Sequence, residues 1–224
     1  MPAPSTFQNA TREHTSVLAA FEKRTLIAMA ERLPAWVNSD HLTGLGFVSL
    51  IAAGAAYWYA SVNKYALFAV ILFLIFNWFG DSLDGTLARV RNKQRPRYGF
   101  YVDHILDALG MFFLMAGLAL SGFMSPAVTA AFLVAYLLLS IEIYLATYCI
   151  GKFHLSHWKF GPTELRILLS IGNIAVIWHP YANIAGGHYL VFDIGFAIGT
   201  IALAMILIQT TVKHTVQLYK EETK

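Results

Sequence analysis

Cysteine is almost missing from this 224-residue chain. Cys149 stands alone, which excludes an intramolecular disulfide framework and a cysteine-built zinc site. Charge is scarce too: Asp, Glu, Lys and Arg make up 13% of the residues against 57% hydrophobic ones, too apolar a balance for an ordinary soluble domain. There is no internal repeat and no low-complexity tract, and residues 1–40 lack the apolar core and cleavage site of a signal peptide. The net charge of +3 does not mark a nucleic-acid surface, because of where the cations fall. With six spans and a cytosolic N-terminus, fifteen of the sixteen Lys and Arg lie on the cytosolic side, and only Lys64 lies outside.

Long apolar runs are what the chain has instead. Residues 13–33 read as an interfacial amphipathic helix, with Leu26, Ala30 and Leu33 on one face and Lys23, Arg24 and Arg32 as basic heads; a plain juxtamembrane spacer is the alternative. Pro34 interrupts it, and Ser39 or Asp40 can cap the next helix. Spans are expected over Leu42–Val62, Tyr65–Val90, Gly99–Gly122 and Pro126–Tyr148, then from Pro162, and last over Tyr189–Thr211. The expected fold is therefore all-α and integral to the membrane: six transmembrane helices plus the N-terminal interfacial helix. Residues 1–40 form a cytosolic segment, 41–212 the membrane domain and 213–224 a cytosolic tail. Glu142, inside the fourth span, is either a substrate contact or a hydrogen-bonded structural acid. His154 and His157 have metal-ligand spacing but no further ligands, so an interfacial anchor with Trp158 and Lys159 is the better reading. Asp193 sits near the outer end of the last span, where water can reach it, and Gly195-x3-Gly199 suits ordinary helix packing or a dimer face.

One stretch organises the rest. Gly80–Leu109 carries four carboxylates, Asp81, Asp84, Asp103 and Asp107, on two helix ends joined by a basic loop with Arg91, Lys93, Arg95 and Arg97. Asp81, Asp84, Gly85 and Ala88 share one helical face, and Gly99, Asp103 and Asp107 share another. Acids at a membrane boundary are unfavourable to desolvate and commonly functional. Four of them facing one another repel unless cations intervene, and an all-oxygen donor set suits two Mg²⁺ or Mn²⁺ ions rather than zinc. A cation pair beside an Arg-rich loop suits a pyrophosphate.

The pattern Asp81-x2-Asp84-Gly85-x2-Ala88-Arg89-x9-Gly99-x3-Asp103-x3-Asp107 resembles the motif of the CDP-alcohol phosphotransferases. The Arg89–Gly99 interval of nine residues is slightly longer than usual there, and Ser39-Asp40-x2-Thr43 stands where the family often has Pro-Asn-x2-Thr. The resemblance implies a membrane enzyme in which a hydroxyl attacks the phosphate of a CDP-linked donor and CMP leaves. It implies Asp81, Asp84 and Asp103 as metal ligands, and Asp107 as general base that also touches a metal. Asp81, Asp84, Gly85, Ala88, Arg89 and Gly99 would contact the CDP-donor, the small residues by letting the nucleotide approach and Arg89 by offering a guanidinium fork to phosphate.

The compact length looks more like the bacterial-type enzymes that take CDP-diacylglycerol, which points to a bacterial plasma membrane. His104, directly after Asp103, is similar to the Asp-His pair of the choline and ethanolamine phosphotransferases, the alternative donors. Gly161–Arg166 resembles a stretch of some relatives; Arg166 and Glu164, with His104 and Arg97, are the expected acceptor contacts, and an anionic acceptor would need such a cationic pocket. A homodimer with the active site and both termini cytosolic is the expected state. Two rivals fit less well. Aromatic prenyltransferases are longer and space their aspartate motifs far apart. A divalent-cation transporter would need polar residues across the whole bilayer, whereas here the motif acids sit towards one face.

Overall fold

The computed structural model describes residues 11–13, 19–150, 152–154, 162–184 and 186–223. The connector histidine His157, with Trp158 and Lys159, lies outside them, and of His154 only the backbone is described.

The described residues form a helical bundle: α1 (Ala19–Arg32), α2 (Ser39–Ala60), α3 (Ala66–Val90), α4 (Pro96–Leu120), α5 (Pro126–Ile150), α6 (Pro162–Trp178) and α7 (Val191–Glu222). Two short strand pairs are peripheral to it. A parallel pair joins β1 (Thr11–Glu13) to β2 (Lys152–His154), and an antiparallel hairpin joins β3 (Tyr181–Ile184) to β4 (Gly187–Leu190). The hairpin turns at Gly186, whose φ of +81° suits a residue without a Cβ.

Five helices, α2, α3, α4, α5 and α7, are long and apolar enough to cross a membrane. The expected fifth of six spans is α6, and it has only 17 residues. At about 1.5 Å per residue it reaches ~26 Å, short of a ~30 Å hydrocarbon layer. The last helix does not stop at Thr211. It runs unbroken to Glu222, because Lys213–Glu222 holds neither Pro nor Gly.

Helix boundaries follow local chemistry. α1 ends before Pro34. The cap of α2 is Asn38, one residue before the expected Ser39 or Asp40: Asn38 Oδ1 accepts from the His41 N–H at 3.0 Å, and the Asn38 N–H donates back to His41 Nδ1. Ser39 and Asp40 thus open the helix itself. α3 stops where Asn92 adopts φ +52° and the Lys93 N–H returns to the Ala88 carbonyl at 2.9 Å, a six-to-one closure. α4 begins at Pro96, three residues before the expected Gly99, because proline's missing N–H is harmless in a first turn.

The helices approach most closely around α2. A Cβ on Gly80 would stand 2.5 Å from the Leu42 carbonyl oxygen and 2.6 Å from the Gly46 nitrogen, so α2 and α3 touch backbone to backbone. A Cβ on Gly117 would overlap the Gly54 carbonyl, so α2 and α4 do the same further along. Two apolar clusters flank the middle of α3. One contains Tyr57, Leu67, Val70, Met115, Leu118 and Ile177; the other joins Leu26 and Ala30 of α1 to Leu42, Leu83 and Leu87. The α1 stripe expected to face the membrane surface is therefore covered by α3, while Lys23, Arg24 and Arg32 are exposed as expected.

Candidate active site

The polar layer lies between these clusters. Because α2 and α3 touch at Gly46 and Gly80, the first turns of α2 hang directly over Asp84. Thr43 Oγ1 donates to Asp84 Oδ2 at 2.6 Å, and Ser39 Oγ donates to the Asp84 carbonyl at 2.7 Å. The other oxygen of that carboxylate accepts from the Gly85 N–H. Asp84 is thereby oriented before any ligand arrives. α4 brings Asp103 and Asp107, one turn apart, against the same face. Carboxylate oxygens of Asp81, Asp103 and Asp107 all lie within 4.8 Å of one another. These three and Asp84 line one small cavity with Thr43, Gly46, Phe47, Asn77 and Leu106. The structure thus gathers all four motif aspartates, with three in the tight cluster and Asp84 beside it.

Such a donor set fits hard divalent cations. It is all oxygen, it is anionic, and its members come from two helices whose mutual position is set by backbone contact with a third. Without a cation, three half-buried carboxylates repel. Asp81 has a counter-charge within the protein: Arg166 Nη2 donates to Asp81 Oδ2 at 2.5 Å, and its Nε donates to Asn77 Oδ1 at 2.7 Å. Sequence reasoning placed Arg166 with an acceptor; in the fold it contacts Asp81. The buried Asn77 completes the chain, its Nδ2 donating to the Gly46 carbonyl at 3.1 Å. Asn77 is a cavity residue that the aspartate motif did not reveal, while Thr43 is the threonine of the Ser39-Asp40-x2-Thr43 stretch. The one available signal was a polar residue, Asn77, interrupting an otherwise apolar span.

The glycines around the site divide into two kinds. Gly46 and Gly80 are needed for helix contact. A Cβ at Gly99 would meet nothing within 4 Å, and one at Gly85 only Arg89 Nη1 at 3.4 Å, so packing does not require either to be glycine. Ala88 lies one turn beyond Gly85, half-buried, while Arg89 is exposed and its Nη2 donates to Thr86 Oγ1 at 2.9 Å.

Of the expected acceptor contacts, Arg166 and His104 each lie against an aspartate of the cluster. His104 stacks on Phe100 at 4.1 Å and meets Tyr144 of α5 edge-on at 4.8 Å, with its Nδ1 3.5 Å from Asp103 Oδ2. Glu164 is half-buried in the first turn of α6, and Arg97 is exposed at the start of α4. The basic loop is partly committed to structure. Arg91 donates to the carbonyls of Leu33, Pro34 and Val37, tying the α1–α2 turn to the end of α3, and Arg95 pairs with Asp40.

Elsewhere the ambiguous acids have structural partners. Glu142 Oε1 meets His214 Nδ1 at 2.6 Å, bridging α5 and α7. Asp193 Oδ1 accepts from the Ser125 N–H at 2.7 Å, capping the turn before α5 rather than facing water alone. Lys64, the cation expected outside, donates to the Ile177 carbonyl at 3.0 Å and closes the last turn of α6.

Beyond the site the described bundle interior is packed mainly by Tyr57, Leu67, Val70, Met115 and Leu118, with the buried Asn173 beside them. Comparison with curated protein sequences finds no match. The sequence model of the CDP-alcohol phosphatidyltransferase family, in contrast, matches residues 36–212 and so takes in every helix of the bundle except α1 and the end of α7. Carrying that motif on two adjacent helices with its aspartates gathered at one cavity, the chain belongs to the CDP-alcohol phosphatidyltransferase family, membrane transferases that move a phosphate-containing group from a CDP-alcohol to an alcohol.

Proposed function

We propose that this protein transfers a phosphatidyl unit from CDP-diacylglycerol to a hydroxyl acceptor and releases CMP. The observation that carries the reading is the gathering of Asp81, Asp84, Asp103 and Asp107 around one cavity. Asp81, Asp84, Asp103 and Asp107 would hold two Mg²⁺ or Mn²⁺ ions. When bound, such ions neutralise the donor's pyrophosphate and the charge that develops on the departing CMP oxygen. The protein supplies the rest. Thr43 and the Gly85 N–H keep Asp84 in one orientation. Gly99 faces open space and Gly85 only the Arg89 guanidinium, which leaves room for the nucleotide against the backbone, with Ala88 beside them and Arg89 offering its fork to phosphate. Asp107 takes the acceptor's hydroxyl proton as the new phosphodiester bond forms. Such a weak base helps chiefly once the transition state has made the proton acidic, so positioning supplies more of the rate than basicity.

CDP-diacylglycerol is favoured over CDP-choline or CDP-ethanolamine on the site's layout. His104, the residue that suggested the head-group donors, packs into an aromatic cluster with Phe100 and Tyr144, whereas the cavity wall includes the apolar Phe47 and Leu106. Arg166 contacts Asp81, which suits an acceptor carrying its own anionic group, assisted by Arg97, Glu164 and His104. The membrane reading is six spans, with α6 as the short one and α1 on the cytosolic surface, both termini and the site cytosolic, in a bacterial plasma membrane. The distribution of Lys and Arg supports that orientation. The active unit is a homodimer, as the resemblance implies, and its size in detergent by light scattering tests this.

The deciding experiment supplies the purified protein in proteoliposomes with a panel of CDP-donors and alcohols and identifies products by lipid mass spectrometry. Phosphatidyl transfer from CDP-diacylglycerol, dependent on added Mg²⁺ or Mn²⁺ and abolished by EDTA, is expected. Turnover only with CDP-choline or CDP-ethanolamine would select the head-group alternative, and full turnover in EDTA with no retained metal would sink the two-ion site.

A further inference from the structure

Arg166 is gripped along two edges of its guanidinium. Nε is hydrogen-bonded to Asn77 Oδ1 and Nη2 to Asp81 Oδ2. Asn77 is 2% exposed, and its amide is fixed from the other side by the Gly46 carbonyl. Gly46 belongs to the α2–α3 contact with Gly80, so the Asn77 half of the grip is anchored in close-packed backbone. The Asp81 half is different in kind. It rests on a carboxylate that also belongs to the three-acid cluster.

A guanidinium in contact with Asp81 and a divalent cation on the same cluster compete, because they repel each other and share one carboxylate's charge. We infer that Arg166 is a built-in counter-cation for the cluster, a positioning residue that neutralises Asp81 in the metal-free protein and yields its Nη2 contact when a divalent ion binds, staying tethered to Asn77 through Nε. The tether keeps the released fork beside the cavity, with a hydrogen-bonding edge available to an anionic substrate group. This rests on the carboxylates binding divalent cations as proposed above, and is independent of which donor or alcohol is used.

Thermodynamic linkage fixes the sign. If the ion pair and the metal oppose each other, removing the guanidinium strengthens metal binding while weakening the metal-free protein. An arginine that merely props Asp81 in a ligating position predicts the opposite, weaker metal binding on removal. The test uses the full chain in detergent micelles with Mn²⁺ alone and no substrate. Free Mn²⁺ is followed by electron paramagnetic resonance, and thermal unfolding is measured with and without the ion. Arg166→Gln is expected to lower the Mn²⁺ Kd by about tenfold and to enlarge the Mn²⁺-induced rise in Tm. Arg166→Lys, which keeps the charge, should stay within about twofold of the parent Kd. Asn77→Ala keeps the charge but frees Nε; it should lower the Kd by less than Arg166→Gln does, and it serves as the test if the glutamine variant does not fold. Unchanged or weaker Mn²⁺ binding in these two variants overturns the inference. A parent protein that binds no Mn²⁺ overturns it together with the metal site, and so separates the two failures.

Discussion

The α2–α3–α4 half of the bundle and the α5–α7 pair are joined by different materials. Around α2 the contacts are backbone on backbone, at Gly46 with Gly80 and at Gly54 with Gly117, supplemented by a buried hydrogen bond through Asn77 and a half-buried one through Thr43. Between α5 and α7 they are side chain on side chain. Phe132 meets Phe196 edge-on at 4.7 Å, Gly199 faces the Phe132 ring, and Glu142 pairs with His214. Backbone contact admits no rotamer adjustment, so it fixes helix positions tightly; aromatic contact can give by tenths of an ångström. The four aspartates all belong to α3 and α4, the half built without slack. Chemistry that depends on positioning is thereby placed where positions are best defined.

The sharpest way to test that division is to separate chemistry from scaffold. Asp107→Asn changes one oxygen for a nitrogen at nearly constant volume. It should reduce transfer by at least about a hundredfold while Tm stays near the parent value; near-normal turnover would remove Asp107 from the role of base. The scaffold comes next. Gly117→Ala drives a methyl group into the Gly54 carbonyl, and neither backbone can retreat without parting α2 from α4. A loss of about 1–3 kcal/mol or more is expected, seen as a lower Tm in detergent. A variant as stable as the parent would mean that the α2–α4 contact is not tight.

Gly85→Leu sharpens the contrast between the two kinds of glycine. Its Cβ meets only the mobile end of the Arg89 side chain, so folding should be retained, while CDP-donor affinity should drop by at least about tenfold if the nucleotide lies there. Unchanged donor affinity, measured by equilibrium binding with Mg²⁺ present, would place the nucleotide elsewhere. Thr43→Val removes the hydroxyl that orients Asp84 and keeps its shape; metal affinity should weaken by roughly tenfold, the usual consequence of losing an outer hydrogen bond to a ligand, with Mn²⁺ titration as the measure. The smallest effect belongs to the other half of the molecule. In Gly199→Ala the new methyl meets only the Phe132 ring, at 3.2 Å, and the better helix propensity of alanine compensates for a small shift. Stability within about 0.5 kcal/mol of the parent is expected. A loss as large as that of Gly117→Ala would show the two halves to be equally rigid.

Much of this was visible in the order of residues because it depends on local periodicity. Apolar runs near twenty residues long require helices in a membrane, and acids three and four apart share a helical face whatever surrounds them. The five long spans, the aspartate pairs and the basic loop between them follow from that alone. So does the family, since its motif is a spacing on two adjacent helices. What the chain order could not show are the partners separated by long stretches of sequence. Arg166 reaches Asp81 across 85 residues, Thr43 reaches Asp84 across 41, and Glu142 meets His214 across 72. Which polar groups meet inside an apolar bundle depends on helix rotation and crossing point. Those are set by where glycines let backbones touch, and no local pattern encodes the glycine on the opposite helix. Gly46 and Gly80 look alike in sequence to Gly85 and Gly99; only the packed structure distinguishes the glycines that build the scaffold from those that leave space in it.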